Sequence, residues 1–187
     1  MTNRTLAALA LLVAGLASLW FALSEPGVPP RPPLLPPATA ASPDSLQLVF
    51  DGQSVTLHRA SADSWSATAG PLDASSSRTV AAFARGLHDL DRGVTVDTGP
   101  ADLRSYGLAP ARTSVTLWSE GRATRLDLGN ESPLGREVYA SVRDGEASRA
   151  EVFLVSKGVV LLVEQVGRNV VTSVVARGDA NRNGESR

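Results

Sequence analysis

The residue types that most often carry catalysis or metal binding are scarce in this sequence of 187 residues. It has no cysteine and only two histidines, His58 and His88. Without cysteine there is no disulfide, thiol nucleophile or thiolate ligand for zinc. The two histidines belong to no HxH or HxxE grouping, so we expect neither a metal site nor a cofactor.

Serine and aspartate are common, but their spacing does not indicate a catalytic centre. No serine stands in the glycine-flanked elbow that exposes a hydrolase nucleophile, and no glycine-rich phosphate loop occurs. Asp89 and Asp91 are two positions apart, and side chains at that spacing do not face each other on a helix. We therefore expect no catalytic residue, and a protein that is not an enzyme.

One predicted strand offers a different kind of site. In the segment TSVTLWS, Val115 and Leu117 alternate with Thr116 and Trp118, so the two pairs face opposite sides of a sheet. Tyr139, on a predicted neighbouring strand, could share the side of Trp118. If no helix covers that side, the two aromatic residues would suit a protein or glycan partner. The alternative is that the amphipathic helix packs there.

Charge and composition narrow the class of partner. The formal net charge is −1, so there is no basic surplus to bind a nucleic acid backbone. With 43% hydrophobic and 20% charged residues, the chain has the balance of a folded protein with one domain of modest size. We expect no nucleic-acid partner.

The N-terminus predicts the compartment. Residues 6–23, LAALALLVAGLASLWFAL, form an uncharged apolar run of 18 residues. As a helix this run would be about 27 Å long, close to the thickness of the hydrocarbon core of a bilayer. Arg4 precedes it and Trp20 lies near its far end. Residues 1–23 therefore predict a membrane anchor, or alternatively a cleaved signal peptide, and export in either case.

Two further segments predict structure outside the folded domain. Residues 24–45 hold eight of the twelve prolines, and proline fixes φ and removes a hydrogen-bond donor. They predict a semi-rigid linker that spans on the order of 60 Å. Residues 176–187 lack apolar periodicity and predict a disordered tail. The folded domain is expected at residues 46–175.

This domain is expected to be α+β, with a mostly antiparallel sheet and one main amphipathic helix. Alternating runs on both sides of Asp51-Gly52 indicate a β-hairpin. In the helix that follows, Asp73 or Ser75 would be the N-cap. The predicted apolar face of that helix consists of Val80, Phe83, Ala84, Leu87 and Leu90.

The second half of the domain predicts further strands. The segments TSVTLWS, RATRLDLG, EVYASV and EVFLVS alternate or are apolar throughout, as strands are. Their connections are too short for parallel crossovers, so the strands should pair antiparallel. We interpret KGVVLLVEQVG as a short helix and VVTSVVA as a last strand.

Residues 102–112, here named the joint, lie between a short helical turn and the first of these strands. Gly107 follows Tyr106 and predicts a left-handed or tight end to the turn. Pro110 excludes helical backbone at the residue before it. We expect Gly107 and Pro110 to set the angle between turn and strand, and Leu103, Tyr106 and Leu108 to seal the edge of the domain. Both are structural roles.

The joint and the strands around it resemble a bacterial domain-of-unknown-function family, number 4340. The family pattern is an acidic-leucine turn, Tyr-Gly-Leu, a proline, an alternating strand, an apolar strand that ends in glycine, and a strand with Tyr-Ala. The matching residues here are Asp102-Leu103, Tyr106-Gly107-Leu108, Pro110, Val115 and Leu117, Leu128-Gly129, and Tyr139-Ala140. The resemblance covers about residues 55–167.

This resemblance implies an exported, membrane-tethered protein, of a kind often found with ABC-type export systems that serve gliding or the envelope. It carries over no catalytic residue, since the family has no assigned activity. We expect a non-enzymatic accessory or scaffold protein, single-pass in the inner membrane, with its domain facing the periplasm or the cell exterior. Its expected partner is an envelope or transporter protein. The alternatives are a secretion-system linker protein and an envelope protein that binds or processes glycans.

Overall fold

The computed structural model describes residues 31–35, 43–61, 64–68, 70–145 and 151–184, with side chains as far as Val175. The predicted anchor at 1–23 and most of the predicted linker lie outside these residues. All the elements below belong to one compact unit that begins at Pro32.

The described residues form nine strands and two α-helices, and the predicted α+β class with an antiparallel sheet is confirmed. The strands are β1 Ser45–Phe50, β2 Gln53–Ser61, β3 Ser64–Ala67, β4 Gly70–Pro71, β5 Thr95–Thr98, β6 Thr113–Ser119, β7 Arg122–Glu131, β8 Glu137–Asp144 and β9 Glu151–Ser156. The helices are α1 Ala74–Gly86 and α2 Lys157–Gly184. The strand order in the single sheet is β4-β3-β2-β1-β6-β7-β8-β9-β5, and every neighbouring pair is antiparallel.

Both helices pack on the same face of this sheet, here named the helix face. The alternation along each strand places Leu48, Val115 and Leu126 in one cross-strand row of that face, and all three are fully buried. Val80 of α1 and Val163 of α2 belong to the same hydrophobic core. The interpretation that the amphipathic helix packs on the side of Trp118 is therefore wrong, because the apolar row attracts the helix to the opposite side.

Helix α2 replaces the short helix and last strand that the sequence predicts for the end of the domain. VVTSVVA is not a strand, because α2 is continuous from Lys157 to Gly184. Its valines recur at helical spacing, so packing against the sheet outweighs the strand preference of β-branched residues. The side chains that form this buried stripe are Val159, Val163, Val166 and Val170. The helix runs into residues 176–187, for which the sequence predicts a disordered tail.

Length and composition alone would also allow α2 to cross a membrane between Lys157 and Val175. It is the one such helix among the described residues. Since its buried valines complete the core beneath the sheet, we treat it as the core helix of the domain.

Asp73 begins α1 and also fastens it to α2. Its carboxylate accepts hydrogen bonds from the backbone N–H groups of Ser75 and Ser76, each at 2.8 Å. The Ser173 hydroxyl of α2 donates to the same carboxylate. The hydrogen bond from Ser173, followed by those from Ser76, holds the pKa of Asp73 well below its ordinary value. Of the two predicted caps, Asp73 is the one that the helix uses.

Part of the predicted linker belongs to the folded unit, which corrects the expectation of a free spacer through residue 45. Leu34 and Leu35 are completely buried and join the core. The backbone N–H of Leu34 donates to the Leu90 carbonyl at 2.6 Å, and the N–H of Arg92 donates to the Pro32 carbonyl at 2.9 Å. We name residues 32–35 the docked segment. Burial of the two adjacent leucine side chains stabilises the docked segment on the domain.

The chain connects the two edges of the sheet before it returns to the middle. After β4 at one edge, α1 runs on the helix face and β5 pairs with β9 at the other edge. The next strand, β6, lies four positions inward, beside β1. The joint therefore has to cross β9, β8 and β7, and it does so over the face opposite the helices, here named the open face.

Candidate functional site

The joint is a short turn held tightly against the open face. Leu103–Tyr106 form a 3₁₀ turn, which Asp102 caps by accepting from the backbone N–H of Arg104 at 2.9 Å. Gly107 ends the turn with φ 72° and ψ 22°, in the left-handed region. The peptide bond between Ala109 and Pro110 is cis. This backbone brings Leu108, which is 3% exposed, against Gly129 of β7.

Two tyrosines connect the joint to the sheet edge. The rings of Tyr106 and Tyr139 meet edge to face, with centroids 5.1 Å apart. The Tyr106 hydroxyl hydrogen-bonds to a carboxylate oxygen of Asp97 in β5 at 3.1 Å. That hydrogen bond, together with burial, raises the pKa of the Tyr106 phenol. Tyr139 therefore contributes to packing under the joint and presents only part of its ring to solvent.

A buried carboxylate lies beside the joint on the same face. The Asp127 side chain is 2% exposed, although it sits in the middle of β7. One of its oxygens accepts from Nε of Arg125 at 2.7 Å, and the other accepts from Arg143 of β8. The two arginine side chains remain 42% and 44% exposed. Asp127 thus fixes the orientation of two guanidinium groups on side chains that remain partly exposed.

Two serines flank Asp127 across the strands. The register aligns Ser114 of β6, Asp127 and Ser141 of β8 in one row. Both serines are buried, and neither hydroxyl oxygen has a hydrogen-bond partner among the described residues. Unpaired buried hydroxyls are uncommon in a native interior. The row formed by Ser114, Asp127 and Ser141 is therefore unusually polar for buried positions.

A groove of about 610 Å³ lies between the joint and these arginines. We name it the arginine groove. Arg104 of the joint is exposed and has no ion-pair partner in the part of the chain that the structure describes. Three guanidinium groups therefore share one lining with a single carboxylate beneath them. The residues that line the groove are Leu103, Arg104, Leu108, Ala109, Pro110, Ala111, Arg125 and Arg143.

The sequence-predicted interaction pair, Trp118 and Tyr139, lies on the open face but is divided. In the sheet, Trp118 lies opposite Ala123 of β7. Ala140, the residue next to Tyr139, lies opposite Leu128 of β7. Those two positions of β7 are five residues apart, which corresponds to roughly 17 Å. Both rings are half-buried. They therefore form no continuous aromatic patch, and the arginines of β7 and β8 lie between them.

The residues considered for catalysis lie apart from the groove. His58 and His88 are exposed, one on β2 and the other in a 3₁₀ turn that follows α1. No group of three His, Cys, Asp or Glu side chains that could hold a metal ion occurs in the described ranges. What the groove can do chemically is bind an anion, because its polar lining consists of guanidinium donors.

Sequence reasoning did not single out Arg104, Arg125, Asp127 or Arg143. One signal was available: in RATRLDLG, an aspartate interrupts a run whose alternate residues are leucines. A carboxylate at the centre of a sheet requires a cation on the same face, two positions away or on the next strand. Arg125 meets the first condition and Arg143 the second.

Comparison of the chain with protein families, with curated proteins and with solved structures yields no match. The resemblance to the unknown-function family 4340 therefore stays a prediction.

Proposed function

We propose that the chain is a non-enzymatic, membrane-anchored accessory protein that faces the periplasm and docks an envelope or transporter protein on its open face. The observation that carries this proposal is the arginine groove. It is concave, its lining comes from three separate elements, and its volume lies within the range of ligand-binding sites. The anchor, the export and the transporter link rest on residues 1–23 and on the resemblance to family 4340.

The layering of the domain supports this assignment of the two faces. The helix face is occupied by α1 and α2, whose apolar residues are part of the core. The open face is crossed by the joint, and beside the joint it presents charged side chains that are half-exposed. A partner therefore meets polar, preorganised groups on one face and the outer surfaces of two helices on the other.

Site-specific photocrosslinking in membranes tests the proposal. A photoreactive residue at position 104 should crosslink to an envelope or transporter protein, whereas the same residue at position 78, on the exposed side of α1, should not. Deletion of residues 6–23 with export preserved should release the chain to the soluble fraction and abolish the crosslink. Equal crosslinking from both positions, or an unchanged crosslink from the freed domain, would refute the proposal.

One observation favours the alternative that the protein binds glycans: Trp118 is only half-buried on the open face. It predicts that envelope glycans change the tryptophan fluorescence and that Trp118→Ala removes the change. Trp65 is 3% exposed and serves as the internal reference. The docking proposal predicts no glycan response.

A further inference from the structure

We infer that the arginine groove binds an acidic segment of a protein partner, with carboxylates paired to Arg104, Arg125 and Arg143 and apolar side chains against the joint. This inference deepens the proposed function, because it rests on the open face being the docking surface. The lining of the groove indicates the chemistry of the partner.

The charge of the groove favours an acidic ligand. Arg125 and Arg143 each use one nitrogen for the Asp127 carboxylate. Asp127 balances one of the three guanidinium charges that line the groove, so a surplus of positive charge remains in a protein with a net charge of −1. Anions are attracted to such a surface, and the attraction weakens as salt screens the exposed guanidinium groups.

Two of the three arginines are preorganised for binding. A free arginine side chain loses considerable rotamer freedom when it binds a ligand. Arg125 and Arg143 have already lost part of that freedom, because the buried Asp127 holds both. Their planar guanidinium groups can each pair with a carboxylate through two parallel N–H donors. A ligand therefore gains these hydrogen bonds at a smaller entropic cost.

The apolar part of the lining distinguishes a peptide from a bare anion. Leu103, Ala109 and Pro110 form the apolar wall that the joint contributes to the groove. Inorganic phosphate would leave that wall without a partner, and its volume is a small part of about 610 Å³. An anionic bilayer would offer headgroups to the arginines but no side chains to the apolar wall formed by the joint. A chain segment with alternating carboxylates and leucines meets both the charged and the apolar lining.

A labelled peptide provides the test. The probe is a fluorescein-labelled hexapeptide, Glu-Leu-Glu-Glu-Leu-Glu, and its match replaces every glutamate with glutamine. Fluorescence anisotropy of the full chain in detergent micelles should show binding of the glutamate peptide alone, weakened by added salt. Arg104→Glu should weaken binding by about tenfold or more, while Arg78→Glu, the same charge reversal on α1, should leave it unchanged. Both positions are exposed, so both variants should fold.

Several outcomes overturn the inference. Equal binding of the glutamine peptide would show that charge does not select the ligand. Unchanged binding by Arg104→Glu would place the peptide elsewhere. Binding of inorganic phosphate or of phosphatidylglycerol vesicles without binding of the peptide would assign the groove to another anion.

The outcome also separates this inference from the proposed function. If the peptide does not bind but crosslinks from position 104 persist, the acidic-segment inference fails and docking stands. If the peptide binds but no envelope protein crosslinks, the proposed function fails and the chemistry of the groove stands.

Discussion

Asp127 is the residue on which the candidate site depends. Its carboxylate is almost completely removed from water, while the arginines that pair with it are nearly half-exposed. The desolvation cost therefore falls mainly on the acid. This asymmetry means that the two sides of the ion pair contribute differently to stability.

Removal of the cations should cost more than removal of the anion. The double variant Arg125→Ala/Arg143→Ala leaves a buried carboxylate without a cation, and we expect it to lower the unfolding free energy by about 3–5 kcal/mol. Asp127→Ala leaves two arginines that water can solvate, so its cost should be smaller, about 1–2 kcal/mol. Urea unfolding measures both. An Asp127 variant less stable than the double arginine variant would contradict this account.

At the level of elements, the joint depends on one backbone conformation. Gly107 has φ 72°, and a β-carbon there would press against the Asn130 side chain and backbone. Gly135 has nearly the same φ, 71°, but a β-carbon there would meet nothing within 4 Å. The two glycines therefore differ in crowding and share the left-handed strain.

Gly107→Val should destabilise the domain more than Gly135→Val does. Left-handed backbone alone costs a β-carbon-bearing residue about 1–2 kcal/mol, and this part should appear in both variants. The additional loss at Gly107 measures how closely the joint approaches β7. Thermal unfolding of the two variants provides the comparison, and equal losses would mean that the joint is not packed as described.

The capping aspartate of α1 predicts a pH dependence. Because the folded-state pKa of Asp73 is lowered, its contribution to stability is complete above the pKa of an unfolded aspartate, near 3.9. It is lost as the pH falls through the lower, folded-state pKa. The stability difference between the native chain and Asp73→Asn should therefore be largest at neutral pH and shrink as the solution is acidified.

Ser173→Ala provides the matched variant for this experiment. It removes the hydrogen bond from α2 but retains the cap on α1. It should show a smaller loss at neutral pH that also shrinks on acidification. A difference between the native chain and Asp73→Asn that does not change with pH would contradict the assignment.

The elements that could be predicted from the sequence are those specified by neighbouring residues. The alternation of Val115 and Leu117 with polar residues, and the turn at Asp51-Gly52, define strands without knowledge of the fold. The extent of α2 was not predictable in this way, because the valines after Val170 suit a strand or a helix equally well. Only the sheet beneath them decides between the two.

The arginine groove was not predictable for a related reason. Arg104 and Arg143 are distant in the sequence. Both line the groove because β5 lies at the far edge of the sheet and the joint must return over β8. Strand order is determined by contacts across the whole domain. A local pattern of residues predicts a strand but does not predict its neighbours in the sheet.

For the whole molecule, the docked segment decides where the folded unit begins. Leu34 and Leu35 are fully buried, and Arg92 holds the segment through its backbone N–H and, at 3.2 Å, through Nε on the Leu34 carbonyl. Residues 32–35 of the predicted linker therefore belong to the folded unit and do not act as a spacer. The reach of about 60 Å expected for residues 24–45 counts these four residues as part of the spacer.

Leu34→Ala and Leu35→Ala should each lower the unfolding free energy by about 2–5 kcal/mol, as substitutions of fully buried leucines do. Leu134→Ala is the matched control, since that side chain is 84% exposed, and it should have almost no effect. Urea unfolding of the three variants tests the role of the segment. Leucine variants at 34 and 35 that match the control would mean that the folded unit begins later.

The passage of the joint over the open face has a consequence for the order of folding. The joint rests on β7 and β8, which are synthesised after it, and Thr95 of β5 bonds to Glu151, 56 residues further along the chain. Closing a loop of this length costs more entropy than forming the hairpins of β6 to β9, so we expect these contacts to form after those hairpins. Weakening the joint should therefore accelerate unfolding and leave the refolding rate nearly unchanged. On this pathway the walls of the groove come together only after the hairpins of β7 and β8 have formed.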